Sequence, residues 1–219
     1  PTPATLTGMS GTTSSVWQPG TGTVYRAALG ALAERGPRRV GVTHIARQAQ
    51  CNRSQLYRNW RSTQALIRDA TLAELKHVLD VARDVPGPPL PPRCLAVRVV
   101  VRAARLLREH PVVRTMAVTD PELTHGAVLR PTTVWHATAW SWLCRHVTAH
   151  LPMGAAQDAV TLAVLTTALP YALTPPPESP DRSDPDSERA SIDDRLSLSL
   201  HLCLDLPATC PDCRSEDVR

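Results

Sequence analysis

Val42-Thr43-His44-Ile45-Ala46-Arg47-Gln48-Ala49, then Gln50-Cys51-Asn52, then Arg53-Ser54-Gln55-Leu56-Tyr57-Arg58-Asn59-Trp60, is the stretch that decides the fold. Ile45, Ala46 and Ala49 fall on one face of a short helix, with Thr43 as its expected N-cap. A turn at residues 50–52 leads into a second short helix, which directs Leu56 and Trp60 inward. Arg53, Ser54 and Gln55 at its start carry side chains that hydrogen-bond to base edges, and Thr43 offers a hydroxyl where a phosphate can sit. Two short helices joined by a tight turn, after a longer helix, form the unit that lets one helix protrude into a DNA major groove.

Working outward, Val24, Ala28, Ala31 and Leu32 give a preceding helix from about Gly22 to Arg35, stopped by Gly36-Pro37. Ser62 caps a long helix reaching about Val85, in which Leu72, Leu75, Leu79 and Ala82 are spaced as a buried stripe. The proline-rich run from Pro86 to Pro92 breaks the chain, because prolines lack the amide donors a helix requires. Helices are then expected over 93–109, in short pieces to 118, from Thr124 or Thr132 to His150, and over 154–172 with Pro170 kinking or ending the last. Residues 174–187 read as a mobile loop and 191–204 as a final amphipathic helix carrying Ile192, Leu196 and Leu200. The expected fold is all-α. An N-terminal three-helix unit (21–68) follows a disordered arm (1–20) and precedes a C-terminal helical bundle (69–206) and a tail (207–219).

Phe is absent from the chain and aromatics are few, so the core must be built from Leu, Val and Ala with some Trp, which favours helices over sheets. Residues 24–68 hold nine arginines and a single acid, Glu34, whereas the chain from Glu178 onward holds eleven acids and five arginines. A basic block of this kind suits a polyanionic partner. No apolar run is long enough for a membrane span, no secretory signal pattern is visible, and the six cysteines show no tight framework, so a cytoplasmic protein without a membrane partner is expected. No Ser-His-Asp arrangement, phosphate-cradling glycine loop or paired-carboxylate motif speaks for an enzyme, and no cofactor is expected.

These residues resemble TetR-type (TetR/AcrR) transcriptional regulators. Val24 to Gly36 is similar to the family's first helix, Val42–Ala49 with Cys51–Trp60 to its helix-turn-helix, and Arg61 to Ile67 to the start of its fourth helix. The resemblance implies phosphate contacts from Thr43, Tyr57 and Asn59 and base-edge contacts from Arg53, Ser54 and Gln55, with Arg58 adding charge. Gln50 stands where the family usually has a turn glycine, so either it takes a strained left-handed conformation or the turn differs. Thr63 stands where the family often has lysine, so Arg58, Arg61 or Arg47 would have to supply that phosphate contact. The resemblance further implies a homodimer that binds a palindromic double-stranded operator and, as a repressor, is released when an unknown small-molecule effector enters the bundle and moves the long helix that carries the reading head.

For the effector site the sequence offers Met116, Trp135, His136, Trp140 and Tyr171, aromatic and polar-tipped groups suited to an apolar pocket, although large side chains of this kind also serve as plain core. Trp135 and Trp142 share one helical face, His136 and Trp140 another. The 154–172 helix and the final helix are the natural dimer surface. His201, Cys203, Cys210 and Cys213 cluster in sequence, but His201 and Cys203 would point apart on a helix, so no metal site is expected. Two other classes stay open: a protein-interaction module with a degenerate helix-turn-helix, and an enzyme using the bundle cavity.

Overall fold

A computed structural model describes residues 20–122, 124, 126, 130–151, 156–174 and 185–207, the last segment with side chains from residue 192 onward. The expected arm (1–20, save Gly20), most of the expected loop and the tail with Cys210 and Cys213 lie outside the described residues. All regular structure among those described is helical: α1 (Thr21–Arg35), α2 (Val42–Gln48), α3 (Arg53–Asn59), α4 (Thr63–Ala82), α5 (Pro92–Glu109), α6 (Pro111–Thr119), α7 (Val134–His146), a 3-10 turn (Thr148–His150), α8 (Gln157–Leu173) and α9 (Pro185–Cys203).

Two apolar cores organise these helices. The smaller gathers Val24, Ala28, Ala31 and Leu32 of α1 with Ile45, Ala46, Leu56, Trp60 and Leu66, and α6 adds Val112 to it. The larger is made by α5, α7, α8 and α9 with the distal half of α4. Helix α6 thus belongs to the chain's second half but seals the core of the first. Its hold on α1 is also polar: the Thr115 hydroxyl donates to the Ala33 carbonyl at 2.6 Å, and exposed Arg38, just beyond α1, pairs with buried Asp120 at the end of α6.

The larger core contains a fully buried cation. Arg108 of α5 donates from Nη2 to Asp193 Oδ1 (2.7 Å) and from Nη1 to the Tyr171 carbonyl (3.1 Å), while Arg105 Nε reaches Asp193 Oδ2 at 2.5 Å. This one network ties α5 to both α8 and α9.

Several boundaries differ from the sequence reading, each for a local reason. Thr43 is not the N-cap of α2; Gly41 takes that place without a side-chain bond, and Thr43 lies exposed within the first turn. Helix α4 ends at Ala82, and of its expected stripe Leu72 and Leu75 are only half-buried. Pro170 does not end α8, which continues to Leu173. Helix α9 starts at Pro185, inside the expected loop, because proline's fixed φ suits a first turn whose amides lack helix partners anyway.

Candidate nucleic-acid interface and adjoining cavity

The second short helix is held at its start by a reciprocal cap. The Asn52 side chain accepts from the Gln55 amide (2.9 Å), and the Gln55 side chain accepts from the Asn52 amide (2.8 Å). Two amide donors at the start of α3 are satisfied together, which lets a seven-residue helix keep a defined start. The cap has a consequence for recognition. Gln55 is only 8% exposed, and its carboxamide oxygen accepts from the Asn52 amide, so its NH2 reaches a base edge only if the buried side chain comes to the surface.

The other expected groups lie on the outer surface. Arg53, Ser54, Arg58 and Asn59 are exposed, as is Thr43 on α2, and Tyr57 is 50% exposed although it follows core Leu56 directly. The inward role of an aromatic is filled instead by Trp60, which packs against Tyr25 of α1 with ring centroids 5.9 Å apart. Burial, and secondarily the charge of Asp69, raise the Tyr25 hydroxyl above its ordinary pKa, so it stays protonated at the edge of this small core. Glu34, the single acid of the basic block, is engaged by α2 through His44 (3.5 Å) and Gln48 (3.4 Å).

The turn between α2 and α3 carries the departure noted in the sequence. Gln50 adopts φ 54°, the left-handed conformation that a glycine would take without a Cβ penalty. The turn geometry is therefore retained and the residue bears the strain. Ser62 caps α4 as expected, accepting from the Ala65 amide at 3.1 Å.

Behind this surface lies a cavity of about 400 Å³, bounded by α1, α4, α5, α6, α7 and α8. One continuous face of α4 lines it, from Gln64 and Ile67 through Thr71, Glu74 and Leu75 to Val78 and Leu79. That is the i, i+3, i+4, i+7 recurrence of a single helical stripe. Helix α7 contributes Trp135, Ala139, Trp142 and Leu143, α8 a leucine and alanine face, and α6 Val112 and Met116.

Of the effector-site candidates, Met116 and Trp135 line the cavity, while His136, Trp140 and Tyr171 do not. The reason is helical phase. Trp135, Ala139 and Trp142 recur on the α7 face turned to α4 and α8, whereas His136 and Trp140 stack on each other about 100° round the helix, with centroids 6.4 Å apart. Tyr171 likewise falls outside the α8 stripe of Leu165, Ala168, Leu169 and Ala172, and what it supplies is its carbonyl, to Arg108.

The polar lining was not anticipated. Thr71 accepts from the Trp135 indole N–H at 3.2 Å while donating to the Ile67 carbonyl (2.9 Å). Glu74 lies 3.0 Å from His110 Nε2, and His110 Nδ1 accepts from the Val112 amide at 3.3 Å. The indole N–H of Trp142, itself buried, has no acceptor among the described groups. A signal existed in the sequence: Thr71 and Glu74 fall on the same stripe of α4 as the apolar Ile67, Leu75, Val78 and Leu79.

Of the four clustered His and Cys residues, His201 and Cys203 lie in the described part of α9. Buried His201 bonds through Nδ1 to the Ser197 carbonyl at 2.7 Å, and Cys203 lies 3.5 Å from the Thr167 hydroxyl on α8. The two side chains thus serve different neighbours, and among the described residues no group of three His, Cys, Asp or Glu converges. No helix among the described residues is long and apolar enough to cross a membrane.

Comparison with known proteins agrees with this arrangement. Residues 24–70 match the family model of bacterial regulatory proteins, tetR family. The fold is similar to that of a TetR-family transcriptional regulator from Mesorhizobium loti MAFF303099, with a TM-score of 0.54 and 13% identity over 84% of this chain and 95% of that one. It is similar too to a transcriptional regulator from Rhodococcus sp. RHA1, with a TM-score of 0.53 and 14% identity over 84% of this chain and 96% of that one. No curated protein matches the chain. Residues 24–70, which form the helix-turn-helix, are thus similar in sequence to bacterial regulatory proteins of the tetR family, and the fold is similar to that of solved transcriptional regulators.

Proposed function

We propose that the protein is a cytoplasmic repressor that binds a palindromic operator as a homodimer and is released by a small molecule entering the cavity. The observation that carries this reading is the position of α4. Its first turn follows the recognition helix α3 within four residues, and its inner face forms one wall of the cavity. A ligand that displaces this wall displaces the reading head. A coupling of about 1–3 kcal/mol, or about 5- to 150-fold in operator affinity, is the ordinary scale for such a link.

On the DNA side, Arg53 and Ser54 read base edges. Thr43, Tyr57 and Asn59 hold phosphates, and Arg58 adds charge. The exposure of all six supports these roles, and its buried cap speaks against Gln55 as a further reader. For the dimer, α8 and α9 pack side by side and expose Leu162, Leu198 and Leu202. Apolar residues on adjacent helices suit a four-helix contact across a two-fold axis.

The test is a fluorescence-anisotropy titration of the protein with DNA from upstream of its own gene at several salt concentrations. Sequence-selective, salt-sensitive binding is expected; its absence refutes the repressor reading. Arg53→Ala should relax base preference, whereas Arg58→Ala should weaken all sequences alike and lower the salt slope by about one.

A further inference from the structure

The polar groups of the cavity specify a charge. Thr71 is saturated by Trp135 and the Ile67 carbonyl, and both nitrogens of His110 are engaged. Because His110 Nδ1 accepts from an amide, its proton sits on Nε2, which donates to Glu74 Oε1. A neutral imidazole leaves the carboxylate charge in place, with the second oxygen of Glu74 still able to accept.

Two arginines also border the cavity, and they do not cancel this charge. Arg38 pairs with Asp120 and Arg68 with Asp69, and their side chains are 76% and 53% exposed. They belong to a solvated rim, where charges are screened and already matched. The Glu74 side chain is 29% exposed and has no Lys or Arg in ion-pair contact among the described residues. Apart from the uncharged Gln64 and Thr124, the remaining walls are aliphatic or aromatic, and Trp135 is held by its indole N–H to Thr71, one helical turn from Glu74.

We infer that the cavity takes a lipophilic ammonium ligand, its nitrogen against the free oxygen of Glu74 and its apolar body among the walls of α5, α7 and α8. An ammonium donates a charge-assisted hydrogen bond to the carboxylate, and an indole face one turn away favours a cation. The unmet indole N–H of Trp142 provides for an acceptor, such as an ether oxygen, on the body of the ligand. This inference rests on the reading of the cavity as the effector site.

Isothermal titration calorimetry of the full chain with 4-phenoxybutylamine, 4-phenoxybutan-1-ol and 4-phenoxybutanoate at neutral pH tests it, since the three share a body and differ in charge. The amine should bind about tenfold more tightly than the alcohol, and the carboxylate most weakly. Glu74→Gln should remove that advantage and leave the alcohol within about twofold of its wild-type affinity. If the alcohol or the carboxylate binds as tightly as the amine, the ligand class is wrong while the effector cavity stands. If none binds, the effector reading falls and the inference with it. Should Glu74→Gln fail to fold, the wild-type order of the three probes still decides.

Discussion

Replacing Gly36 with alanine should cost about 3 kcal/mol, and the cost should divide into two parts that a second substitution separates. Gly36 ends α1, donating its amide to the Leu32 carbonyl at 2.9 Å, with φ 71° and ψ 166°. Only glycine occupies this backbone region readily, and a side chain there costs about 1–3 kcal/mol. An added Cβ would also lie 2.6 Å from Thr119 Oγ1, 3.1 Å from its Cβ and 3.3 Å from its Cγ2. Thr119 is exposed and can rotate away, but it then gives up its 2.8 Å hydrogen bond to the Thr115 carbonyl, worth about 1 kcal/mol. Thr119→Ala removes Oγ1 and Cγ2 and leaves the 3.1 Å contact, so it should recover about 1 kcal/mol in the double variant. Urea unfolding followed by helical circular dichroism, at one fixed protein concentration, measures all four corners of the cycle. A Gly36→Ala variant within about 0.5 kcal/mol of the parent would refute the backbone argument. A strictly additive cycle would show that α6 does not press on this turn.

Gln50→Gly should raise stability by roughly 0.5–1 kcal/mol, since relief of the left-handed penalty is partly offset by the freer unfolded chain; an unchanged melting temperature would count against strain at this turn. Asp193→Ala should cost about 3–5 kcal/mol, because it leaves Arg108 buried without its carboxylate, whereas the Arg108→Leu/Asp193→Leu pair should cost much less. Equal losses in thermal melts would show that the charge is not the issue. His146 is held below its ordinary pKa of 6.5 by burial first and then by Arg83 and Arg145. A base with a depressed folded pKa binds fewer protons folded than unfolded, so it removes stability as pH falls below 6.5. The unfolding midpoint of His146→Asn should therefore gain on wild type as the pH is lowered from 7 to 5, and parallel profiles would contradict the assignment.

What the sequence disclosed and what it hid follow one physical line. The helices around residues 24–68 were legible because their signals are local: Gly36 as a stop, Ser62 as a cap, and apolar spacing that needs no partner to interpret. Gln55 shows the limit of that reasoning. Asn52 followed three residues later by Gln55 is itself a capping pattern, and it competes with base recognition for the same side chain. The buried Arg108 and Asp193 also lay within reach, as charged residues on the apolar stripes of Val97, Val100 and Ala104 and of Leu196 and Leu200. The cavity was less accessible. Helical phase sorted the tryptophans of α7 into two faces, but which face meets α4 and α8 is decided by packing between helices distant in sequence. That is why Trp135 lines the cavity and Trp140 does not.

In the proposed function, the same packing carries the effect of a ligand in this cavity to the DNA-binding helices instead of letting it be absorbed locally. Helix α4 presents Leu66 and Ala70 to the core of the reading head and Ile67, Thr71 and Glu74 to the cavity, so the two surfaces interleave on one rigid element. On the other side, α6 places Met116 in the cavity wall and Val112 in both the wall and the small core, and it is fixed to the end of α1 by Thr115 and by the Arg38–Asp120 pair. Close-packed cores repack between discrete arrangements and do not deform continuously. On the proposed reading, a ligand seated at Glu74 would bias α4 and α6 together, and the segment both of them hold is the one that carries Arg53 and Ser54. Loosening the α6 joint by Gly36→Ala should for this reason weaken the effect of ligand on operator affinity more than it weakens operator binding itself, a difference that anisotropy titrations with and without 4-phenoxybutylamine read directly. An equal effect on both would place the coupling in α4 alone.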